Sequence, residues 1–498
     1  MNAASPHLLP PQAPREFGFY INGLNIPAGD RPMFERNSPA HGTPVTCIPK
    51  CTLADLNAAV AAARTAFEDR RWSGLNGGDR AAVLLRAAAL ITARKDELAY
   101  WESLENGKPI VQARGEIDGC IGCFEHAAGT SRALHGDSFN NLGDGMLGLV
   151  TREPIGVVGI ITPWNFPFLI LCERVPFVLA SGCTIVAKPS EVTSATSLIL
   201  ADILTMAGLP AGCFNVVTGS GSTIGQAMAE HLDIDMLSFT GSTAVGRSIL
   251  AAAGGNFKKL GLELGGKNPQ IVFADADLDD AADGVAFGIA FNSGQCCVSG
   301  SRLIVERSVA DKFEKRLVSK LARIRIGDPL DPDTQVGAIT TAAQNDTILR
   351  YIAIGQAEGA RLVCGGHAIE TKGQYIAPTV FADVTPEMTI ARDEIFGPVL
   401  CILPFDTLDQ AISLANDTIY GLAASVWTKN IDTALTVTRR VRAGRFWVNT
   451  TLAGGPELPI GGFKQSGWGR EAGVAGVEEY TQIKSTHIAI GKRAHWID

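Results

Sequence analysis

Several things are missing from this sequence, and each absence removes a class of function. No block of basic residues interleaved with aromatics occurs, and 43 basic against 51 acidic residues leave a net charge of −8. Nucleic acid is therefore not an expected partner. The N-terminus lacks a basic region followed by an apolar one; Met1 to Phe19 is Pro-rich and reads as a loose tail, not a signal peptide. One uncharged stretch, Ile155 to Cys172, reaches 18 residues, the lower edge of membrane-spanning length. Pro163, Trp164, Asn165 and Pro167 interrupt it, so strand, turn and helix are expected and no membrane partner. A disulfide framework is absent as well: eleven cysteines are scattered and odd in number, which fits a reducing, cytoplasmic setting.

Metal ligation also lacks a pattern. Cys120, Cys123 and His126 have a suggestive spacing, but no second ligand pair follows, and on a helix the three share one face; core cysteines are the better reading, as for Cys47 and Cys51. Asp275, Asp277, Asp279 and Asp280 stand where a helix begins and suit its dipole. No metal is expected.

What is present is a large core. At 498 residues, 46% hydrophobic and 19% charged, the chain exceeds what one core organises, and two or more domains are expected. Phe17 to Asn25, turning at Asn22-Gly23, predicts a hairpin. Leu53 to Ala66 predicts a helix capped by Thr52 with Asp55, Gly78 to Asn106 a long helix, and Ile110 to Thr130 a third. Leu134 to Glu153, with Gly143, Gly145 and Gly148, predicts a protruding hairpin of the kind that pairs with another subunit.

From Ile155 onward, short β-branched runs at Ile155 to Ile161, Thr184 to Ala187, Phe214 to Val217 and Met236 to Phe239 alternate with turns and helical patterns. That predicts a doubly wound parallel sheet of the dinucleotide-binding sort. Two turns suit phosphate: Gly219-x-Gly221-x-x-x-Gly225, and Thr240-Gly241-Ser242 entering a helix. Lys188 and Glu191, after a strand, could hydrogen-bond an adenosine ribose, and a carboxylate there would repel a 2′-phosphate. NAD is thus favoured over NADP, although a solvated Lys and a helix-starting Glu read equally well from these residues alone.

Glu263 lies between two leucines before Gly265-Gly266, a place where burial raises a carboxyl pKa toward a usable base. Thirty-four residues on come Gly294-Gln295-Cys296-Cys297. A thiol at such a junction is a strong nucleophile if positive ends of peptide dipoles lower its pKa; on their own the two thiols read as small buried hydrophobes.

Taken together, Pro163-Trp164-Asn165-Phe166-Pro167, Lys188-Pro189-Ser190-Glu191, Phe239-Thr240-Gly241-Ser242, Glu263-Leu264-Gly265-Gly266-Lys267, Gly294-Gln295-Cys296-Cys297, Glu394-Ile395-Phe396-Gly397-Pro398 and Gly467-Trp468-Gly469-Arg470-Glu471 resemble the motifs of the aldehyde dehydrogenase superfamily, in the family's order and over nearly the whole chain. The resemblance implies an α/β fold with a Rossmann-like parallel-sheet cofactor domain (1–133 and 154–261), an α/β catalytic domain (262–470) and a small β oligomerisation element (134–153 and 480–498). It further implies NAD-dependent oxidation of an aldehyde to an acid by a homodimer or homotetramer. Cys297, second after Gln295, would be the nucleophile; Asn165 and the Cys297 amide would hold the oxyanion; Glu263 would activate water; Glu471 would help to relay its proton. Trp164, Lys188, Glu191, Gly221, Gly225, Phe239, Gly241, Ser242, Glu394 and Phe396 would hold the cofactor.

Ile170, Glu173, Phe291 and Ile460 are the expected substrate contacts. Glu173 and Arg174 depart from the aromatic and Lys common in relatives, and Gly454 and Ile460 replace frequent Phe. Glu173, with Glu457, would favour a short polar or amino aldehyde, unless it pairs with Arg174 or Lys464. A quaternary ammonium wants an aromatic cage, for which Trp164 and Phe291 are the candidates. The alternatives are an NAD-binding protein without turnover, a coenzyme A-acylating relative, against which Glu263 speaks, and a thiol hydrolase, for which no His motif is in place.

Overall fold

The structure is a computed structural model that describes residues 8–492 and 496–497. Its largest sheet has eight strands, in the order Gly467–Trp468, Lys259–Glu263, Met236–Thr240, Val157–Ile161, Thr184–Lys188, Phe214–Val216, Phe19–Ile21, Leu24–Ile26. The five from Lys259–Glu263 to Phe214–Val216 are parallel. They read as continuous apolar runs because both faces are covered: Val158 and Ile160 pack into one core, Val157 and Ile161 into another. The chain adds strands first on one side of Val157–Ile161 and then on the other, so the order reverses between Ile161 and Thr240. A crevice opens at such a reversal, at the carboxyl ends of the strands.

Local signals account for most of the framework. Asn22 and Gly23 both take positive φ, 55° and 76°, the tight hairpin turn expected of that pair. Thr52 and Asp55 form a reciprocal capping box on Leu53–Glu68. Two expectations need correction. The run Gly78 to Asn106 is not one helix but two, Gly77–Ala93 and Lys95–Asn106. No Gly or Pro marks the break; at it, Arg94 bonds both Glu97 and Asp202. Nor is the N-terminal segment loose up to Phe19: Arg15–Glu16 pairs with Thr46 and Cys47, and the Arg15 guanidinium lies 4.5 Å from the Phe17 ring. Residues 1–7 of that tail lie outside the described residues.

The second sheet has seven strands, with Arg302–Glu306 and Pro269–Val272 at its centre, and all but Arg361–Cys364 run parallel. Glu263 ends a strand of the first sheet, and Pro269 starts one of the second only six residues later. The carboxyl edge of one sheet is therefore tied closely to the amino edge of the other. A third sheet, Thr481–Ala489 with Met146–Pro154 and Asp137–Phe139, is antiparallel. All but the first residue of Thr481–Ala489 is exposed.

Beneath the turn Pro163 to Pro167 lies a buried ionic group. The Lys108 ammonium sits between Glu116 and, at 3.5 Å, Glu102, and 4.5 Å from the centre of the Phe166 ring. Glu102 also accepts the Phe168 amide at 3.3 Å. Removing the cation strands two buried carboxylates, so Lys108→Met is expected to lose about 3–5 kcal/mol of stability. Urea unfolding followed by tryptophan fluorescence measures this, and an unchanged midpoint would contradict it.

Candidate active site

Three consecutive left-handed residues shape the turn that presents the thiols: Asn292 (φ 48°), Ser293 (φ 56°) and Gly294 (φ 72°). Two of these are not glycine, a conformation that persists only where surroundings hold it. The Asn292 amide donates to the carbonyls of Asn165 (2.9 Å) and Gln295 (3.2 Å), and Ser293 donates to the Gly337 carbonyl at 2.9 Å. The Gln295 side chain accepts the Thr340 amide at 2.9 Å. Gly294 has no alternative: a Cβ there would lie 2.2 Å from the Gly397 backbone.

Asn165 lies in the turn after Val157–Ile161, and its Nδ2 donates to the Gln295 carbonyl at 3.0 Å. The predicted pair, Asn165 and the Cys297 turn, is thus brought together. That bond uses one of the two amide hydrogens and leaves the other for a ligand oxygen. From below, Asn268 Nδ2 donates to the carbonyls of Cys297 and Ser299, both at 2.8 Å, while its Oδ1 accepts the Ala423 amide. Cys296 packs into a small cluster with Phe166 and Ile170, whereas Cys297 is half-buried. The two neighbours therefore divide as expected, one a core residue and one reachable.

The condition set for a reactive thiol, a pKa lowered by positive ends of peptide dipoles, is not what surrounds Cys297. The adjoining Cys296 thiol, burial, and the carboxyls of Glu394 and Glu263 push it well above the ordinary thiol range. The turn follows the carboxyl end of Leu278–Ala290, the negative end of that helix dipole; its positive end is capped by Asp277, far along the chain.

Glu263 is buried, its Oε1 has no hydrogen-bond partner among the described residues, and burial pushes its pKa up to about 8. Nearby charge acts both ways: Arg174 lowers it, Glu471 and Glu173 raise it. Gly467–Trp468 pairs directly with the end of Lys259–Glu263 and so delivers Glu471 to this place. There Glu471 accepts from Ser238 (2.9 Å) and Tyr480 (2.6 Å) and lies 3.3 Å from Arg174. Arg174 also donates to Ser238, Thr240 and the Ile170 carbonyl.

The cofactor candidates fall around the crevice where the strand order reverses. Glu191 is half-buried and faces Lys188 at 3.7 Å; Lys188 itself turns inward to the carbonyls of Pro189 and Gly219. Gly221 opens a helical turn capped by Ser220, and a Cβ on it would meet nothing within 4 Å. Ser242 caps Thr243–Ala252, whose first-turn amides point out at the same edge. Glu394 accepts the Gly266 amide at 3.0 Å, and Phe396 meets Trp164 edge-on at 5.4 Å. Phe239 differs: it is a core residue, its ring lying under Gly241.

Glu173, Phe291 and Ile460 line a cavity of about 350 Å3 together with Leu169, Leu452 and Arg445. Ile170 is not in that wall; it packs against Phe166 and Cys296 behind it. Glu173 pairs with neither expected partner, since Arg174 is engaged by Glu471 and Lys464 donates to the Asn416 and Thr418 carbonyls. Trp164 and Phe291 form no cage: Trp164 meets Phe396, and Phe291 stacks on Phe166. Sequence reasoning missed Asn268, Asn292, Tyr480 and Arg445. Asn268, beside Gly265-Gly266-Lys267, was the one with a signal in its motif.

The raised thiol pKa is directly testable. Iodoacetamide should modify Cys297 slowly at pH 7 in the cofactor-free protein, at a rate still rising beyond pH 9. Mass spectrometry of its peptide reads this, and fast modification with a plateau near neutrality would contradict it.

Three kinds of comparison bear on this arrangement. The sequence matches the profile of the aldehyde dehydrogenase family over residues 26–486. It is 42% identical over 475 residues to an aldehyde dehydrogenase of Aspergillus niger, covering 95% of each chain. The structure superposes with a TM-score of 0.96 on an NAD-dependent aldehyde dehydrogenase from Sinorhizobium meliloti, 51% identical and covering 97% of each chain. An indole-3-acetaldehyde dehydrogenase solved with NAD+ is 44% identical with a TM-score of 0.94, covering 96% of this chain and 98% of that one. With the family profile matched over residues 26–486 and relatives 42% and 51% identical over nearly the whole chain, this chain belongs to the aldehyde dehydrogenase family.

Proposed function

We propose that the protein oxidises an aldehyde to the carboxylic acid with NAD, through a thioester on Cys297 that water hydrolyses. The observation that carries this is the meeting, at one cleft between two sheets, of a half-buried thiol, an amide held by the Gln295 carbonyl, and a buried carboxyl with a free oxygen.

Cys297 Sγ passes its proton to a water molecule and adds to the aldehyde carbon, and the oxygen that becomes negative is held by the free Asn165 Nδ2 hydrogen and the Cys297 amide. Each such donor contributes on the order of 3 kcal/mol where charge develops. NAD, when bound, supplies the hydride acceptor that no side chain provides, and the acyl group left on sulfur is a thioester. Glu263 then takes a proton from water at the otherwise unpartnered Oε1, and the water attacks the thioester. Glu471, held by Tyr480, Ser238 and Arg174, is placed to receive charge or proton from Glu263.

The crevice fits NAD on its own features. Glu191 offers a carboxylate with no hydrogen bond of its own, suited to two ribose hydroxyls and unfavourable to a 2′-phosphate. Gly221 gives open backbone at one turn and Ser242 caps the helix that starts at the other, while Glu394 acts on Cys297 and Phe396 meets Trp164. In this reading the first sheet's body holds the cofactor and the second carries the thiol. The raised base argues against acyl transfer to coenzyme A, since it would favour water as the acceptor.

Glu173 at the cavity wall supports a short polar or amino aldehyde as substrate. All eleven cysteines are free thiols, which supports a reducing, cytoplasmic setting, and no helix among the described residues is long and apolar enough to cross a membrane. The exposed strand Thr481–Ala489 and its two companions form the proposed oligomerisation element. Light scattering should return a dimer or tetramer mass; a monomer at micromolar concentration would remove this assignment.

Cys297→Ala should abolish NADH formation while NAD binding, read by fluorescence titration, persists. Glu263→Gln should keep a single-turnover burst of NADH and lose steady-state turnover. In the wild type the base must be ionised, so hydrolysis is weakest below its pKa and rises with pH through about 8. A variant without the thiol that still turns over would overturn the reading, and a hydrolytic rate independent of pH from 6 to 9 would remove Glu263 as base.

A further inference from the structure

Two opposite charges in the substrate cavity have no part in the chemistry above. Glu173 and Arg445 both line the 350 Å3 space, and both are half-buried. Among the described residues, neither side chain has a hydrogen-bond or ion-pair partner. Arg445 only rests against the Trp447 ring, at 5.1 Å, and close to Gly454, where a Cβ would lie 2.7 Å from its Nη2. Glu116, the remaining charge in the wall, differs, being matched by Lys108 and Gln112.

The two free charges act on each other through space, and Cys123, also in the wall, feels Glu173. Leu169, Phe291, Leu452 and Ile460 supply apolar wall, and Leu169, Phe291 and Leu452 pack also against the Cys296 cluster next to Cys297. Half-buried charges without partners are costly unless a ligand matches them. A cationic aldehyde would satisfy Glu173 and oppose Arg445; an anionic one would do the reverse.

We propose that the cavity takes a zwitterionic aldehyde, its ammonium against Glu173 and its carboxylate against Arg445, with the carbonyl carbon directed to Cys297. This rests on the aldehyde-oxidising reading and narrows its substrate class. An aldehyde that carries both charges on neighbouring carbons, with a short chain to the carbonyl, meets the requirement.

NADH formation should be compared for 2-amino-4-oxobutanoate, 4-aminobutanal, 4-oxobutanoate and hexanal. The first should exceed each of the others in kcat/KM by about tenfold or more, the scale of one charge-assisted hydrogen bond. Glu173→Gln should cut the preference over 4-oxobutanoate by about tenfold, and Arg445→Gln the preference over 4-aminobutanal by a similar factor. A wild-type enzyme that favours hexanal or either singly charged aldehyde overturns the inference while leaving aldehyde oxidation standing, and so do preferences that neither variant moves. No NADH from any of the four overturns the inference together with the function on which it rests.

Discussion

A buried contact, the Asn165 amide donating to the Gln295 carbonyl, joins the first sheet's carboxyl edge to the turn that carries the thiols. Around it the Asn292 amide bonds back to Asn165 and Gln295, so the two turns hold each other. Buried amides of this kind are costly when unmatched, which is why the left-handed Asn292 and Ser293 persist in a conformation that most side chains avoid. If the two turns separated, the thiol would lose its oxygen-binding donor and the strained turn its support in one step. Asn268 performs the same service on the other side, fixing the Cys297 carbonyl to the start of the second sheet. The reacting atoms therefore depend on both sheets, and neither sheet alone makes a site.

Burial sets the acid-base properties that this frame provides. Glu263, Glu394, Glu471 and Glu173 are all raised, and in each desolvation is the largest cause. Cys297 is raised by its neighbours as much as by burial, so at neutral pH the resting cleft favours protons on both Cys297 and Glu263. A neutral thiol beside a neutral carboxyl is stable and unreactive. In the proposed reaction the thiol proton must leave first, and the neighbouring carboxyls oppose that by raising the thiol pKa.

Much of this was legible before any coordinates. Strands with both faces covered are apolar throughout, and their alternation with Gly-bounded turns identified the parallel sheet and its two phosphate-suited turns. Asn165, Glu263 and Cys297 were legible through the resemblance of their motifs to those of the aldehyde dehydrogenase family; on their own the thiols read as small buried hydrophobes. What stayed hidden was whatever depends on contacts between distant segments. Nothing near Arg94 breaks a helix; Glu97 and Asp202 do so through space. Tyr480 reads as an ordinary aromatic before a strand, yet its hydroxyl holds Glu471. The thiol pKa could not be read from sequence because the sign of a helix dipole at Cys297 depends on which end faces it, and the turn lies after the carboxyl end.

Arg174 shows why the type of a buried cation matters beyond its charge. Its guanidinium is planar, keeps its proton across the whole working range, and spreads its donors over Ser238, Thr240, the Ile170 carbonyl and the Glu471 side. An ammonium at this place would be a point charge able to lose a proton on burial. With arginine the positive charge is permanent, so it lowers Glu263 at every pH and takes no part in carrying protons. Titration at the cleft then belongs to the carboxyls and Cys297, and the hydroxyls that fix Glu471 determine where a proton leaving Glu263 can rest. The same fixed orientation makes no hydrogen bond to Glu173, which lines the cavity and feels Arg174 only through space.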